Sequence, residues 1–314
     1  MRRGGASTAA RAGALVTAVV LTGLLVAGCS GDAGRAPPEN PRRPPITVVS
    51  FDFPESETLA EIYGQALRRQ GYPVEDVPRF GPREVVEPAL EQGRVDFVPG
   101  YLGSGLNFLG EKRVATADPR VVHARLQHAL AARGLSVLAF APAQDRNGFV
   151  VTGDMARTHR LRRLSDLRPI APQLLFGGPP ECPDRPLCLV GLRDVYGLRF
   201  KRFEPMPSRA VTADALEAGE IDVGMLETTD GNLAERDLVQ LEDDRRLQPA
   251  ENVVPIVRKA IIAAYGTALV RAVNAVTAQL TTRDLIGMNR RVELDGAEPA
   301  AVAADWLRSH PANR

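Results

Sequence analysis

Apolar and polar positions follow two periods along this chain, and the periods alternate. Ile46 to Phe51 is a short run rich in β-branched residues, and it leads into Glu55 to Gln70, where Leu59, Ile62, Tyr63 and Leu67 fall on one helical face. A strand running into an amphipathic helix is the opening of a βαβ unit. Gly71-Tyr72-Pro73 then stops the helix, with a glycine and a proline just past its end.

One phrase occurs twice. Ala89-Leu90-Glu91-Gln92-Gly93-Arg94-Val95-Asp96 returns as Ala215-Leu216-Glu217-Ala218-Gly219-Glu220-Ile221-Asp222, and each copy reads as helix, glycine stop and short buried strand over Val95 to Val98 or Ile221 to Gly224. Two distant copies imply two lobes built alike. Ser136 to Phe140 is a further strand of the first lobe, and Ala141 to Asp145 is a connection out of it. Phe149 to Thr152, Leu174 to Gly177, Phe200 to Phe203 and Leu238 to Leu241 supply strands for the second lobe. Around Pro249 to Pro255 the chain crosses back, and helical patterns over Val257 to Leu280 and Glu298 to Leu307 pack on the first lobe. The expected fold is therefore α/β and two-lobed. Residues 46–142 plus 252–314 form lobe 1, residues 143–251 form lobe 2, and two crossing strands make the hinge. Ligands of open α/β sheets sit beyond the carboxyl ends of the strands, which directs attention to Gly100 to Gly105 and Glu227 to Gly231.

The first residues change the picture. Arg2, Arg3 and Arg11 precede an apolar run from Ala14 to Ala27, too short for a transmembrane span, and Val26-Ala27-Gly28-Cys29 resembles the lipobox of bacterial lipoproteins. The expectation is a signal peptide over residues 1–28, acylation at Cys29, and a Gly- and Pro-rich tether over residues 29–45 that stays extended. An ordinary signal peptide with an incidental cysteine is the plainer alternative. Of the remaining cysteines, Cys182 and Cys188 form a close even pair outside the cytoplasm, most simply a disulfide that shapes one loop.

Charge and chemistry mostly exclude. Net charge is +1, and the basic residues are spread along the chain without interleaved aromatics, so nucleic acid is not an expected partner. His123, His128, His159 and His310 are scattered and make neither a metal site nor a catalytic dyad. Gly103-Ser104-Gly105 lacks the spacing of a nucleophile elbow, and the glycine-rich stretches do not match a P-loop. A binding protein without cofactor, metal or catalytic residues is expected.

Phe51-Asp52-Phe53-Pro54-Glu55-Ser56, Glu61-Ile62-Tyr63 and Gly93-Arg94-Val95-Asp96 with Pro99-Gly100-Tyr101-Leu102-Gly103-Ser104 resemble the glycine betaine, carnitine and choline type of ABC-transporter substrate-binding protein. The second lobe continues with Phe176-Gly177-Gly178-Pro179-Pro180-Glu181, Gly191-Leu192, Tyr196-Gly197, Ile221-Asp222-Val223, Thr229-Asp230-Gly231 and Leu241-Glu242-Asp243-Asp244. The resemblance implies a bilobal periplasmic-binding fold of type II that closes over a quaternary ammonium osmoprotectant and delivers it to an ABC permease. The ligand is held by an aromatic cage and by basic residues gripping its carboxylate.

Carried over residue by residue, the resemblance places Tyr101 at a cage tyrosine, Ser104 at the hydroxyl position after it, Asp145 at an acidic position past the first crossing, and Arg185 where a ligand carboxylate would be met. Phe51 stands where a lysine is common, Asn147 near an expected tyrosine, and Glu227 and Glu251 near two further cage tyrosines. Such a set suits a cation that donates hydrogen bonds, or a sugar or polyol. Each residue also has a plainer role: Tyr101 as a cap on the sheet, Arg185 as a partner of Glu181 or Asp184, and Glu227 and Glu251 as solvated acids. Asp230 is explained by turn chemistry, and Asp96 and Asp222 by backbone donors. The protein is expected to be a monomer anchored by lipid at the cell membrane, with a small-molecule ligand and a permease as partners. A ligand sensor and a surface enzyme are the rival readings.

Overall fold

Asp96 and Asp222, which close the two copies of the repeated phrase, do the same thing in two places. The backbone amide of Thr47 donates to Asp96 Oδ2 (3.0 Å) and that of Leu175 to Asp222 Oδ2 (2.7 Å). In return the amides of Asp96 and Asp222 donate to the carbonyls of Thr47 and Leu175, both at 3.0 Å. Each aspartate thus fixes the start of the neighbouring strand. The glycines before them take the left-handed conformation, Gly93 at φ 73° and Gly219 at φ 71°, which lets the helix stop and the chain turn into the sheet.

The computed structural model describes residues 43–110 and 116–311. In chain order the strands are β1 (Ile46–Phe51), β2 (Val74–Gly81), β3 (Phe97–Tyr101), β4 (Leu135–Val137), β5 (Asn147–Thr152), β6 (Leu175–Gly178), β7 (Arg202–Pro205), β8 (Val223–Glu227), β9 (Leu238–Gln240) and β10 (Val253–Arg258). They form two five-stranded sheets of matching order, β2-β1-β3-β10-β4 and β7-β6-β8-β5-β9. In each sheet the first three strands are parallel. The strand that follows a crossing, β10 or β5, is inserted antiparallel between the third and the last. Fold class follows as α/β with two lobes.

Alternation along the strands loads both faces of each sheet. Ile46, Val48, Val253 and Val257 face helices Pro54–Arg69, Thr267–Thr277 and Pro299–Ser309. Val49, Phe51, Val254 and Ile256 face helices Arg83–Glu91, Leu102–Phe108 and Pro119–Ala131. Lobe 2 repeats this with cores on either side of Phe149, Val151, Phe176 and Val223, and of Val150, Ile221 and Leu226. A helix–sheet–helix sandwich is what a sheet buried on both faces requires.

Three elements differ from the sequence reading. β2 gave no strand signal because it is an edge strand, half-exposed, with charged residues and Pro78 in it. The strands of the repeated phrase begin two residues later than expected, at Phe97 and Val223. The pattern from Val257 to Leu280 is not one helix. β10 runs to Arg258, and helices Lys259–Tyr265 and Thr267–Thr277 are bent by 111° at Gly266, whose φ of 72° no helix can carry. The chain crosses between lobes twice. Ala141 N donates to Val253 O (2.8 Å), Val253 N to Ala143 O (3.0 Å) and Asp145 N to Glu251 O (3.1 Å), so the outgoing and returning strands run antiparallel and hold each other.

Residues 1–28, Cys29 and the tether to Arg42 lie outside the described residues. The last three tether residues are described. They are exposed and lie on lobe 1, where Tyr265 donates its hydroxyl to Pro44 O (2.5 Å) and Arg43 stands over the Tyr265 ring.

Candidate functional site in the cleft between the lobes

β3 ends at Tyr101, and the chain turns at once into helix Leu102–Phe108. The free amide of Ser104 in its first turn needs an acceptor, which comes from the returning crossing strand. Ser104 N donates to Glu251 Oε2 (2.9 Å) and Ser104 Oγ to Glu251 Oε1 (3.0 Å). Gly103 makes room for this, since a Cβ there would sit 2.6 Å from Glu251 Oε1. Burial nevertheless outweighs these bonds and raises the Glu251 carboxyl from 4.5 to about 7.

Beside it, the Tyr101 hydroxyl donates to Glu55 Oε1 (2.5 Å), and Asn289 Nδ2 donates to Glu55 Oε2 (2.6 Å). Glu55 stands in the first turn of helix Pro54–Arg69, where the helix dipole favours a negative charge. Burial, together with the Glu55 charge, pushes the Tyr101 hydroxyl well above its usual range. Phe51, Phe53 and Tyr101 stack in sequence, with centroids 6.1 and 6.2 Å apart, and the Arg83 guanidinium covers Phe51 at 4.7 Å.

Lobe 2 contributes Glu227, the last residue of β8, and Arg209, the first residue of helix Arg209–Glu217. Arg209 pairs with Glu227 in its own lobe, with Glu293 of lobe 1 (3.0 Å), and more loosely with Asp230 (3.5 Å). Asp230 behaves as turn chemistry requires, its Oδ1 accepting from Asn232 N (2.9 Å) and Asn232 Nδ2 (2.8 Å). Between the lobes, on the outgoing crossing strand, stands Asp145. Its Oδ1 is sealed from solvent and has no hydrogen-bond partner, and burial together with the Glu55 charge raises its carboxyl well above the usual range.

These side chains line three adjoining cavities. The first, about 640 Å³, is walled by Phe51, Phe53, Glu55 and Tyr101 of lobe 1, Arg209 and Glu227 of lobe 2, and Asp145. A passage of about 250 Å³ past Ser104, Asp145, Asn147 and Glu251 leads on to the third. That cavity, about 820 Å³, is bounded by Asn147, Leu187, Met225, Leu247 and the Cys182–Cys188 disulfide. All eight residues singled out in the sequence border this cleft. Phe51, Tyr101, Ser104, Asp145 and Glu227 meet in the first cavity, and Asn147 and Glu251 line the passage. Arg185 lies at the far end beside the disulfide, exposed, and forms no ion pair among the described residues. Asn147 Nδ2 donates to Leu187 O (3.2 Å) between the two ends.

Sequence reasoning missed Glu55, Arg83, Arg209, Asn289 and Glu293, all in the first cavity. Glu55 was legible, since it follows the strand end Phe51 in a quoted phrase. Asn289 and Glu293 were not, because Asn289 ends helix Thr282–Asn289 and Glu293 lies in the π-helical turn after it, Arg290–Leu294, that no apolar period marks.

Two sheets of matching order, joined by a paired crossing and separated by a polar cleft, define a bilobal solute-binding protein of the periplasmic type. Residues 44–309 match the family described as the substrate binding domain of ABC-type glycine betaine transport system, and the chain belongs to that family. A glycine-betaine-binding protein of Pseudomonas aeruginosa is 30% identical over 278 residues, 84% of this chain and 88% of the relative. Among solved structures, apo YehZ from Escherichia coli superposes with a TM-score of 0.77 at 24% identity, covering 86% of this chain and 99% of that one. A crystal structure described as a glycine betaine/carnitine/choline ABC transporter gives 0.79 at 22% identity, covering 84% and 98%.

Proposed function

We propose that this chain is the extracytoplasmic receptor of an ABC importer, anchored by lipid at Cys29, which closes its lobes over one small organic cation and presents it to a membrane permease. Residues 46–142 plus 252–314 and residues 143–251 move as the two bodies, in a monomer, without chemical turnover of the ligand. The observation that carries this reading is a cleft in which carboxylates of both lobes and of the crossing strand converge on one cavity. A ligand touching both lobes favours the closed state by the difference between its affinities for the two states, which is what a transport receptor needs. The similarity to a glycine-betaine-binding protein supports a charged nitrogen compound as the solute.

The test is a thermal-shift screen of residues 43–314, a compact unit by themselves. The panel holds glycine betaine, choline, carnitine, amines, sugars and polyols. A ligand at one hundred times its dissociation constant adds about 2.7 kcal/mol of stability. A shift with organic cations is expected, and silence with every cation would remove the reading. For the anchor, Cys29→Ala is expected to release the protein from the membrane fraction into the medium, read by immunoblot.

A further inference from the structure

The cavity at Tyr101 has two properties that together narrow its ligand. The first is how its rings are used. Phe51, Phe53 and Tyr101 stack against one another along a single wall, Arg83 covers Phe51, and the Tyr101 hydroxyl is spent on Glu55. Among the described residues, no aromatic side chain of lobe 2 lines this cavity, so the rings form a wall and not a box. A fully methylated ammonium, held by ring faces on several sides, finds few of them here.

The second property is charge. Asp52, Glu55, Asp145, Glu227 and Glu293 line the cavity against Arg83 and Arg209. Arg83 is paired with Glu87 at 2.8 Å, and Arg209 is shared between Glu227 and Glu293. Glu55 accepts from Tyr101 and Asn289, and Asp52 is exposed beside Arg79 (3.9 Å), which leaves Asp145, whose enclosed Oδ1 accepts nothing. A quaternary ammonium has no N–H to give it, and a sugar has a hydroxyl but no charge. A buried acceptor left without a donor is costly, and more so when it is charged.

We propose that the cleft selects an organic cation carrying N–H donors, an ammonium or guanidinium and not its fully methylated counterpart, and that Asp145 is the carboxylate that accepts from it. This rests on the reading of the cleft as the ligand site. Asp145 faces Glu55 on helix Pro54–Arg69, Glu251 on the returning strand and Arg209 of lobe 2, and the Thr229 hydroxyl is a hydrogen-bond partner of its carboxyl. Its raised carboxyl adds a signature: a bound cation favours the ionised form, so at any pH where the free carboxyl holds its proton, binding releases that proton to the buffer.

The experiment titrates residues 43–314 calorimetrically with pairs that differ only in N-methylation: ethanolamine and choline, γ-aminobutyrate and its trimethyl derivative, and carnitine with its desmethyl amine. Buffers of different ionisation enthalpy, each used across a pH series, report the proton. The expected result is binding of the N–H member at least tenfold tighter than the trimethyl member, with proton release. In Asp145→Asn the preference shrinks to within a few-fold and the release disappears, while unliganded melting shows that the variant folds. The wild-type ratio stands by itself should the variant fail to fold. Equal or tighter binding of the trimethyl members overturns the proposal and leaves the importer reading in place. No binding by any member to the folded wild type overturns both.

Discussion

Glu251 is held by both donors of Ser104, yet its carboxyl titrates near 7 because it is buried. The folded state therefore keeps a proton that the unfolded chain has lost between pH 4.5 and about 7. Stability from this group is full below the lower value, declines as pH rises and is gone above the upper one, a loss of about 3 kcal/mol. Asp145 acts in the same direction. Denaturant melts at pH 5 and pH 7.5 are expected to show the unliganded protein more stable at pH 5, and Glu251→Gln is expected to flatten that difference. A pH-independent Glu251 would show as no change in slope between wild type and variant. At this scale, what was legible depended on how a residue reaches the cleft. Tyr101, Glu227 and Asp145 stand at strand ends or on a crossing, where chain direction alone places them. Arg209 and Glu293 meet only when the lobes are assembled, and no local pattern carries that.

The repeated helix–glycine–strand phrase was legible as an element because it encodes a local event, a left-handed glycine followed by an aspartate that caps the neighbouring strand. Removing the cap tests its weight. Asp222→Ala leaves the Leu175 amide without an acceptor and is expected to cost about 1 kcal/mol in urea unfolding. Asp96→Ala is expected to cost about 2 kcal/mol, because it also strands Arg258, which donates to Asp96 at 2.7 Å. Equal small losses below 0.5 kcal/mol, roughly the scatter of surface changes, would mean the caps are idle. β2 and β10 stayed hidden for opposite reasons. One is an edge whose polar residues hide its period, and the other merges in sequence with the helix after it. The end of helix Thr282–Asn289 and the π-helical turn after it form a clasp: Asn289 Nδ2 donates to Thr229 O across the cleft (2.9 Å), and Arg290 pairs with Glu235. Gly231 lies against it so closely that a Cβ would sit 2.7 Å from Arg290 Cα. Gly231→Val is expected to push the lobes apart, read as a larger radius of gyration in small-angle scattering without ligand.

For the whole molecule, two lobes and their crossings could be read from one duplicated phrase and two proline-marked connections, while the sense of the inserted strands could not. Nothing in β10 or β5 alone says that each will lie antiparallel between two strands of the lobe it enters. The disulfide belongs to this scale too, since Cys182 and Cys188 brace the wall of the cavity of about 820 Å³. Replacing both with alanine is expected to lower stability by roughly 2 kcal/mol by the chain-entropy estimate, checked by chemical denaturation. The insertion of β10 also sets an order of events as the chain is made. Every strand of the second sheet lies between Asn147 and Gln240, so that lobe has all its strands while the first still lacks one. β3 and β4 do not touch each other except through β10, and they wait with open edges until residues 253–258 emerge. The half of the protein that begins first is thus the half that finishes last, and a chain cut short before Val253 would carry one finished sheet and one broken one.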